Sequence, residues 1–254
     1  MRKAIDKKNR QAAGLETTEF RESTMSAANE QLDLDEARIA ALLVRERYYR
    51  DTSDWQKMRD SYHPDNSKTW VNITWYDTTS RVPQGLPSAD TLSNRYEGEI
   101  DEFVRQSSKV VAAKVNTVHA IHPAEITIRG SKALAVSFCT MTNRFPLDGH
   151  EYDKISSVRL VSKLEKLQLD GRAAWKLLTL ECIYIRDGIV SAVPQPPDTV
   201  PVFHGAEKWP RGYRYAAWLL SSIGLAARTD LPTEDDRESV REVFDRNRAW
   251  LTGV

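Results

Sequence analysis

The stretch from Lys114 to Arg186 decides the fold. It opens KVNTVHAIHPAEITIRGSKALAVSFCTMT (114–142) and closes ISSVRLVSKLEKLQLDGRAAWKLLTLECIYIR (155–186). Runs rich in β-branched and aromatic residues are cut by turn signals at Pro123, Gly130-Ser131, Leu147-Asp148-Gly149 and Asp170-Gly171. They read as strands over 114–121, 125–129, 132–142, 155–167 and 174–186, an antiparallel meander. Upstream the texture is helical. Asp33 with Glu36 resembles a helix-start box, and Ile39, Leu42 and Leu43 then share one face of a helix reaching about Tyr49. Thr52-Ser53-Asp54 opens a short helix through Trp55, Met58 and Tyr62, which His63-Pro64-Asp65-Asn66 ends. Thr69–Tyr76 reads as a strand, and Asp90 caps a helix whose stripe is Leu92, Tyr96, Ile100, Phe103 and Val104.

Downstream, a Pro-rich connection (Val193-Pro194-Gln195-Pro196-Pro197, Val200-Pro201) leads to two more helices. One covers Arg211–Arg228. Thr233 caps the other, whose Val240, Val243, Phe244, Asn247, Trp250 and Leu251 repeat with near-heptad spacing. That apolar side needs a partner: the main domain, a second subunit, or a pocket under a lid. The plan is α+β, with helices on one face of a curved antiparallel sheet and a C-terminal helical extension. The segments are a mobile tail (1–32), the α+β domain (33–193) and the extension (194–254).

The 254 residues balance 36 Lys+Arg against 36 Asp+Glu, and a nucleic-acid binder is expected to carry a basic excess. The longest mostly apolar stretch, Tyr213–Ala227, is broken by Arg214, Ser221, Ser222 and Gly224 and falls short of the roughly 20 residues a bilayer span needs. Two cysteines without CxxC, and no early apolar run, point to a reduced, cytoplasmic compartment and no zinc cluster. Arg2, Lys3, Lys7, Lys8 and Arg10, diluted by Asp6, read as a solvated tail. The chain has no Gly-rich phosphate loop, no GxSxG and no HExxH, so no nucleotide cofactor, elbow serine or metal is expected.

Strand parity sorts the site candidates. His119 shares a mostly apolar face with Val115, Thr117 and Ile121, opposite Lys114, Asn116, Val118, Ala120 and His122. Ser162 is the polar exception in the row Val158, Leu160 and Leu164. Each reads either as a core residue satisfied by the backbone or as a group facing a ligand. His119 and His122 point to opposite sides and make no metal pair. His63 and His150 fall in turns, His204 in the Pro-rich connection, and the sequon Asn72-Ile73-Thr74 in a strand.

From about Asp35 to Val193 the chain resembles the SnoaL-like branch of the nuclear transport factor 2-like superfamily. This branch includes scytalone dehydratase, ketosteroid isomerases, polyketide cyclases and related epoxide hydrolases. The resemblance rests on Tyr48-Tyr49-Arg50-Asp51-Thr52-Ser53-Asp54-Trp55, on Tyr62-His63-Pro64-Asp65 leading to Trp75, on Thr117-Val118-His119, and on the Asp170-Gly171 hairpin with Trp175 and Tyr184-Ile185-Arg186-Asp187. It implies a cone-shaped sheet enclosing a cavity, in which an aspartate after the first helix holds a strand histidine that acts as base. Asp51 and His119 occupy those places. Tyr48, Tyr49, Trp75 and Tyr76 are the groups available to hold a substrate oxygen, and Ser162 falls near a polar cavity position.

The expected activity is a cofactor-free lyase or isomerase of dehydratase type, acting on a small, largely apolar carbonyl compound in secondary metabolism. A polyketide-type cyclase or epoxide hydrolase, with Asp51 activating water or a hydroxyl, is the enzymatic alternative. A noncatalytic small-molecule-binding or interaction module is the other. Leu178, Leu180 and Tyr184, read as lying on the outer face of the last strand, call for a cover, so a homodimer is expected.

Overall fold

The computed structural model describes residues 29–74, 95–112, 117–147, 149–193, 203–222, 227 and 229–253. The chain divides into two units, residues 1–39 and residues 40–254. In the first, the described residues 29–39 are helical, and Asp35 pairs with Arg38 at 3.7 Å. The helix, α1 (29–51), is thus formed before Asp33, and Asp33 and Glu36 lie within it rather than at its start.

The second unit carries α2 (Trp55–Asp60), β1 (Trp70–Thr74), β2 (Arg95–Gly98), α3 (Ile100–Ala112), β3 (Thr117–Arg129), β4 (Lys132–Leu147), β5 (His150–Leu169), β6 (Arg172–Leu177), β7 (Thr179–Ser191), α4 (Arg214–Ser222) and α5 (Arg237–Thr252). The sheet is curved and unclosed, with order β2-β1-β7-β5-β4-β3 and β6 pairing β5; among the described residues the pairing of β1 with β7 is parallel and the other strand pairings are antiparallel. Asp54 caps α2 by accepting from the Lys57 N–H, as its sequence suggests. Asp170 (φ 49°) and Gly171 (φ 75°) turn β5 into β6 with the two left-handed residues of a tight hairpin.

Five features depart from expectation. Tyr96 is not on a helix: Arg95–Gly98 pairs with β1, and the Tyr96 ring lies 5.1 Å from Phe103. Helix α3 starts only at Ile100, because its first amides are capped from afar, Ile100 N–H by Thr69 Oγ1 (3.0 Å) and Asp101 N–H by Asn66 Oδ1 (3.1 Å). Asp90 and Leu92 lie outside the described residues. Pro123 does not end its strand; β3 is an edge, where a missing N–H costs no ladder bond, and the register merely shifts between Pro123 and Glu125. The strand expected over 174–186 breaks at Leu178, whose N–H turns to Lys163 O (2.8 Å). Asp236 rather than Thr233 caps α5, accepting from the Glu238 and Ser239 amides.

We call the face bearing His119 inner and the opposite face outer. Helix α5 packs on the outer face, where Val243 and Leu251 meet Leu134, Val161 and Ile183, flanked by Val240, Phe244 and Trp250. Asn247 Nδ2 donates to Glu181 (3.0 Å), Arg246 pairs with the same carboxylate, and the Lys132 ammonium sits over the Trp250 ring. The heptad side of α5 therefore has its partner in this chain's own sheet. Leu180 and Tyr184 share Cys182's parity, so they point to the inner face and are buried there, Tyr184 against the Tyr213 ring at 5.3 Å. The apolar outer surface that gave self-association its reason is absent at these positions.

Beyond the β1–β7 pairing, Thr233 bridges to Tyr184, and the single helical turn 211–213 lies against this junction. Gly212 sits so close to this junction that an added Cβ would overlap Thr233 Oγ1 and stand 3.0 Å from Tyr184 O. Gly212→Ala is therefore expected to cost about 1–3 kcal/mol, the usual range for overpacking, read as a lowered urea midpoint at unchanged slope.

Candidate functional site

Helix α1 ends at Asp51. Thr52 Oγ1 bonds back to Tyr48 O (2.8 Å), and Ser53 takes a left-handed φ of 62°, which turns the chain and leaves the Asp51 carboxylate facing the free edge of β3. There it grips His119 at two points: Oδ2 accepts the backbone N–H at 2.6 Å and Oδ1 meets ring Nδ1 at 2.7 Å. An ionised carboxylate only accepts, so the ring proton sits on Nδ1 and the basic lone pair on Nε2. Among the described residues nothing bonds Nε2.

The His119 side chain is 6% exposed. Burial drives its pKa down to about 4; Arg47 and Arg50 push the same way and Asp51 opposes them. The imidazole is therefore neutral at neutral pH, as a base must be. Burial alone would raise the Asp51 carboxyl, but its bonds to His119 and the charge of Arg50, 3.2 Å away, hold it below its ordinary value.

Behind the dyad lies a buried ionic group that the sequence reading missed. Glu46 and Arg47 pair side by side, and Tyr62 Oη donates to Glu46 Oε1 at 3.2 Å. Burial would lower the Arg47 guanidinium, yet the Glu46 carboxylate keeps it above its ordinary value. The signal was present: Ile39, Leu43, Arg47 and Arg50 fall at i, i+4, i+8 and i+11, so charged residues continue the helix's inward stripe.

A cleft of about 510 Å³ opens between α1 and β3, lined by Val44, Tyr48, Asp51, Thr52 and residues 118–122. Tyr48 lines it but is mostly exposed. Tyr49 is half-buried, with the Lys57 ammonium 5.6 Å from its ring, and is not part of that lining. Trp75 and Tyr76 lie outside the described residues. Ser162 is buried on the inner face as its parity implies, and its Oγ has no partner among the described residues. It does not reach the dyad, however. Across the sheet, His119 aligns with Met141 and Met141 with Ser156, whereas Ser162 lies opposite Ala135, six residues farther along β5 and so about 20 Å away. Ser156 is the serine in the row of His119. His63 is a turn histidine, its Nδ1 accepting the Asp65 N–H at 3.0 Å.

Among the described residues no group of three His, Cys, Asp or Glu is placed to hold a metal, and no helix is long and apolar enough to cross a membrane. What the site offers is a neutral, oriented imidazole beside a largely apolar cleft.

A family model described as a SnoaL-like domain matches residues 33–180. Pea pathogenicity protein 2 of Fusarium vanettenii is 22% identical over 233 residues, 88% of each chain. An uncharacterized protein of Emericella nidulans is 24% identical over 207 residues, 80% of this chain and 77% of that one. Among solved structures, a putative scytalone dehydratase from Novosphingobium aromaticivorans aligns with a TM-score of 0.45 and 13% identity, covering 68% of this chain and 99% of the other.

Proposed function

We propose that this chain, which belongs to the SnoaL-like domain family, is a lyase or isomerase whose His119 removes a proton next to the carbonyl of a small, largely apolar compound. One observation carries the reading: the Asp51 carboxylate holds both the backbone amide and the ring of His119, leaving Nε2 unbonded among the described residues. Proton abstraction next to a carbonyl needs a neutral base with a fixed lone pair, and this arrangement supplies one. Asp51 fixes the tautomer and stabilises the imidazolium that forms. Tyr48 is the described cleft residue able to lend a hydroxyl to the developing oxyanion.

The arrangement disfavours the cyclase or epoxide hydrolase alternative, since both Asp51 oxygens are engaged with His119 rather than directed at a water. A binding module draws support from Glu46, Arg47 and Tyr62, which fill space behind the dyad with side chains. A panel of small ketones incubated in D₂O and followed by NMR separates these readings. Exchange of the hydrogens next to the carbonyl, lost in His119→Gln, supports the base. Equal exchange by both proteins on every ketone removes it.

A further inference from the structure

Lys154 has no exposed surface, although lysine is rarely buried. It stands on the inner face. The register places Thr117, Asn143 and Lys154 opposite one another on β3, β4 and β5, and the adjoining row on that face is His119, Met141, Ser156 and Asp187. Two inter-strand steps, about 10 Å, separate the strands of His119 and Lys154. Both side chains leave the sheet on the same side.

The Lys154 ammonium donates to Ser156 Oγ at 3.0 Å. From β7, Asp187 and Cys182 face it; Asp187 accepts the Ala216 N–H of α4 at 2.7 Å, and Arg214 acts on Asp187 in turn. Burial takes the Lys154 amine down to about 8 against the attraction of Asp187. A sheet interior gains nothing from a lysine as packing. A desolvated lysine that is partly uncharged at neutral pH is, by contrast, a nucleophile.

We infer that Lys154 captures carbonyl compounds covalently, its Nζ forming an imine with a small aldehyde or ketone seated on the inner face. Nζ adds to the carbonyl carbon, the two amine protons pass to the carbonyl oxygen, and that oxygen leaves as water; no oxidant or reductant is needed. The Ser156 hydroxyl is in place to relay the protons. Met141, between His119 and Ser156 in their row, is half-buried and flexible enough to give way to a ligand. The inference rests on the carbonyl ligand proposed above and deepens it, because a protonated imine acidifies the neighbouring C–H that His119 would remove.

The test uses the full chain, benzaldehyde and sodium cyanoborohydride between pH 7 and 9, followed by peptide mass mapping. Benzaldehyde has no hydrogen next to its carbonyl carbon, so trapping reports on the lysine alone. Lys154 is expected to be alkylated about tenfold or more faster than exposed lysines such as Lys57, whose amine the Asp54 carboxylate holds above its ordinary value. Its rate should level off near pH 8 while theirs keep rising. Labelled surface lysines with Lys154 untouched in the wild-type protein overturn the inference, with no variant required. His119→Gln is expected to keep the labelling. Labelling without His119-dependent exchange leaves the lysine and removes the proposed base; His119-dependent exchange with Lys154 unlabelled does the reverse.

Discussion

Replacing His119 with glutamine is expected to lower turnover by about 10²- to 10⁴-fold, the range a positioned acid–base group supplies. The fold should survive, because Asp51 Oδ2 still receives the backbone amide of residue 119. The pH dependence carries a second, sharper expectation. A catalytic histidine at its ordinary value near 6.5 loses activity as pH falls through that value. Here burial and the guanidinium groups of Arg47 and Arg50 place the titration near 4, so activity should persist through pH 5 and fail near pH 4. An acid limb near 6.5 would contradict the neutral, buried base. Asp51→Asn removes the charge that opposes this depression and unpins the tautomer, so its residual turnover should be similarly low.

Stability follows the same titration. The folded pKa of His119 lies below its unfolded value, so between about pH 6.5 and 4 the unfolded chain binds more protons. Stability should therefore fall as pH drops through that window, by something of the order of 3 kcal/mol. The depressed Asp51 carboxyl adds a loss in the same direction at still lower pH. Urea midpoints at pH 7, 5 and 4 would show the decline, and His119→Gln should flatten its first part.

Arg47→Met is expected to be the most destabilising single change, at about 3–5 kcal/mol, the cost of breaking a buried ion pair from one side. Arg47 and Glu46 are both almost wholly buried, and among the described residues Glu46 would retain only the Tyr62 hydroxyl. A chain of this size should then melt roughly 10 °C lower. Replacing both, Glu46→Met with Arg47→Met, removes the orphaned charge and should recover most of the loss. If the double variant melts no higher than the single, packing rather than charge explains the effect.

Much of this was written locally. The alternation in β3 put His119 on the inward side, Asp54 announced α2, and Asp170-Gly171 announced its hairpin, because each depends on neighbours in sequence. What escaped depends on distant partners. Thr69 and Asn66 cap α3 from across a turn, which moved the helix start past Tyr96. Pro123 reads as a breaker unless its strand is known to be an edge. Parity gave Ser162 its face but not its position along the strand, and only the pairing of β4 with β5 shows that Ser156 is the serine in the histidine's row. Glu46 and Arg47 went unnamed because what buries them, Tyr62 among it, is distant in sequence.

The outward amides of an edge strand invite a neighbouring chain to add itself by backbone pairing. On β3, ahead of the register shift, these belong to alternate residues, 117, 119, 121 and 123. The Asp51 carboxylate occupies that of His119, and Pro123 has no amide to offer. The carboxylate proposed to orient the base thus also takes up one of the backbone groups through which another strand would add. Asp51 variants should lose turnover and colloidal stability together, so their activity has to be normalised to monomer recovered after gel filtration before it reports on chemistry.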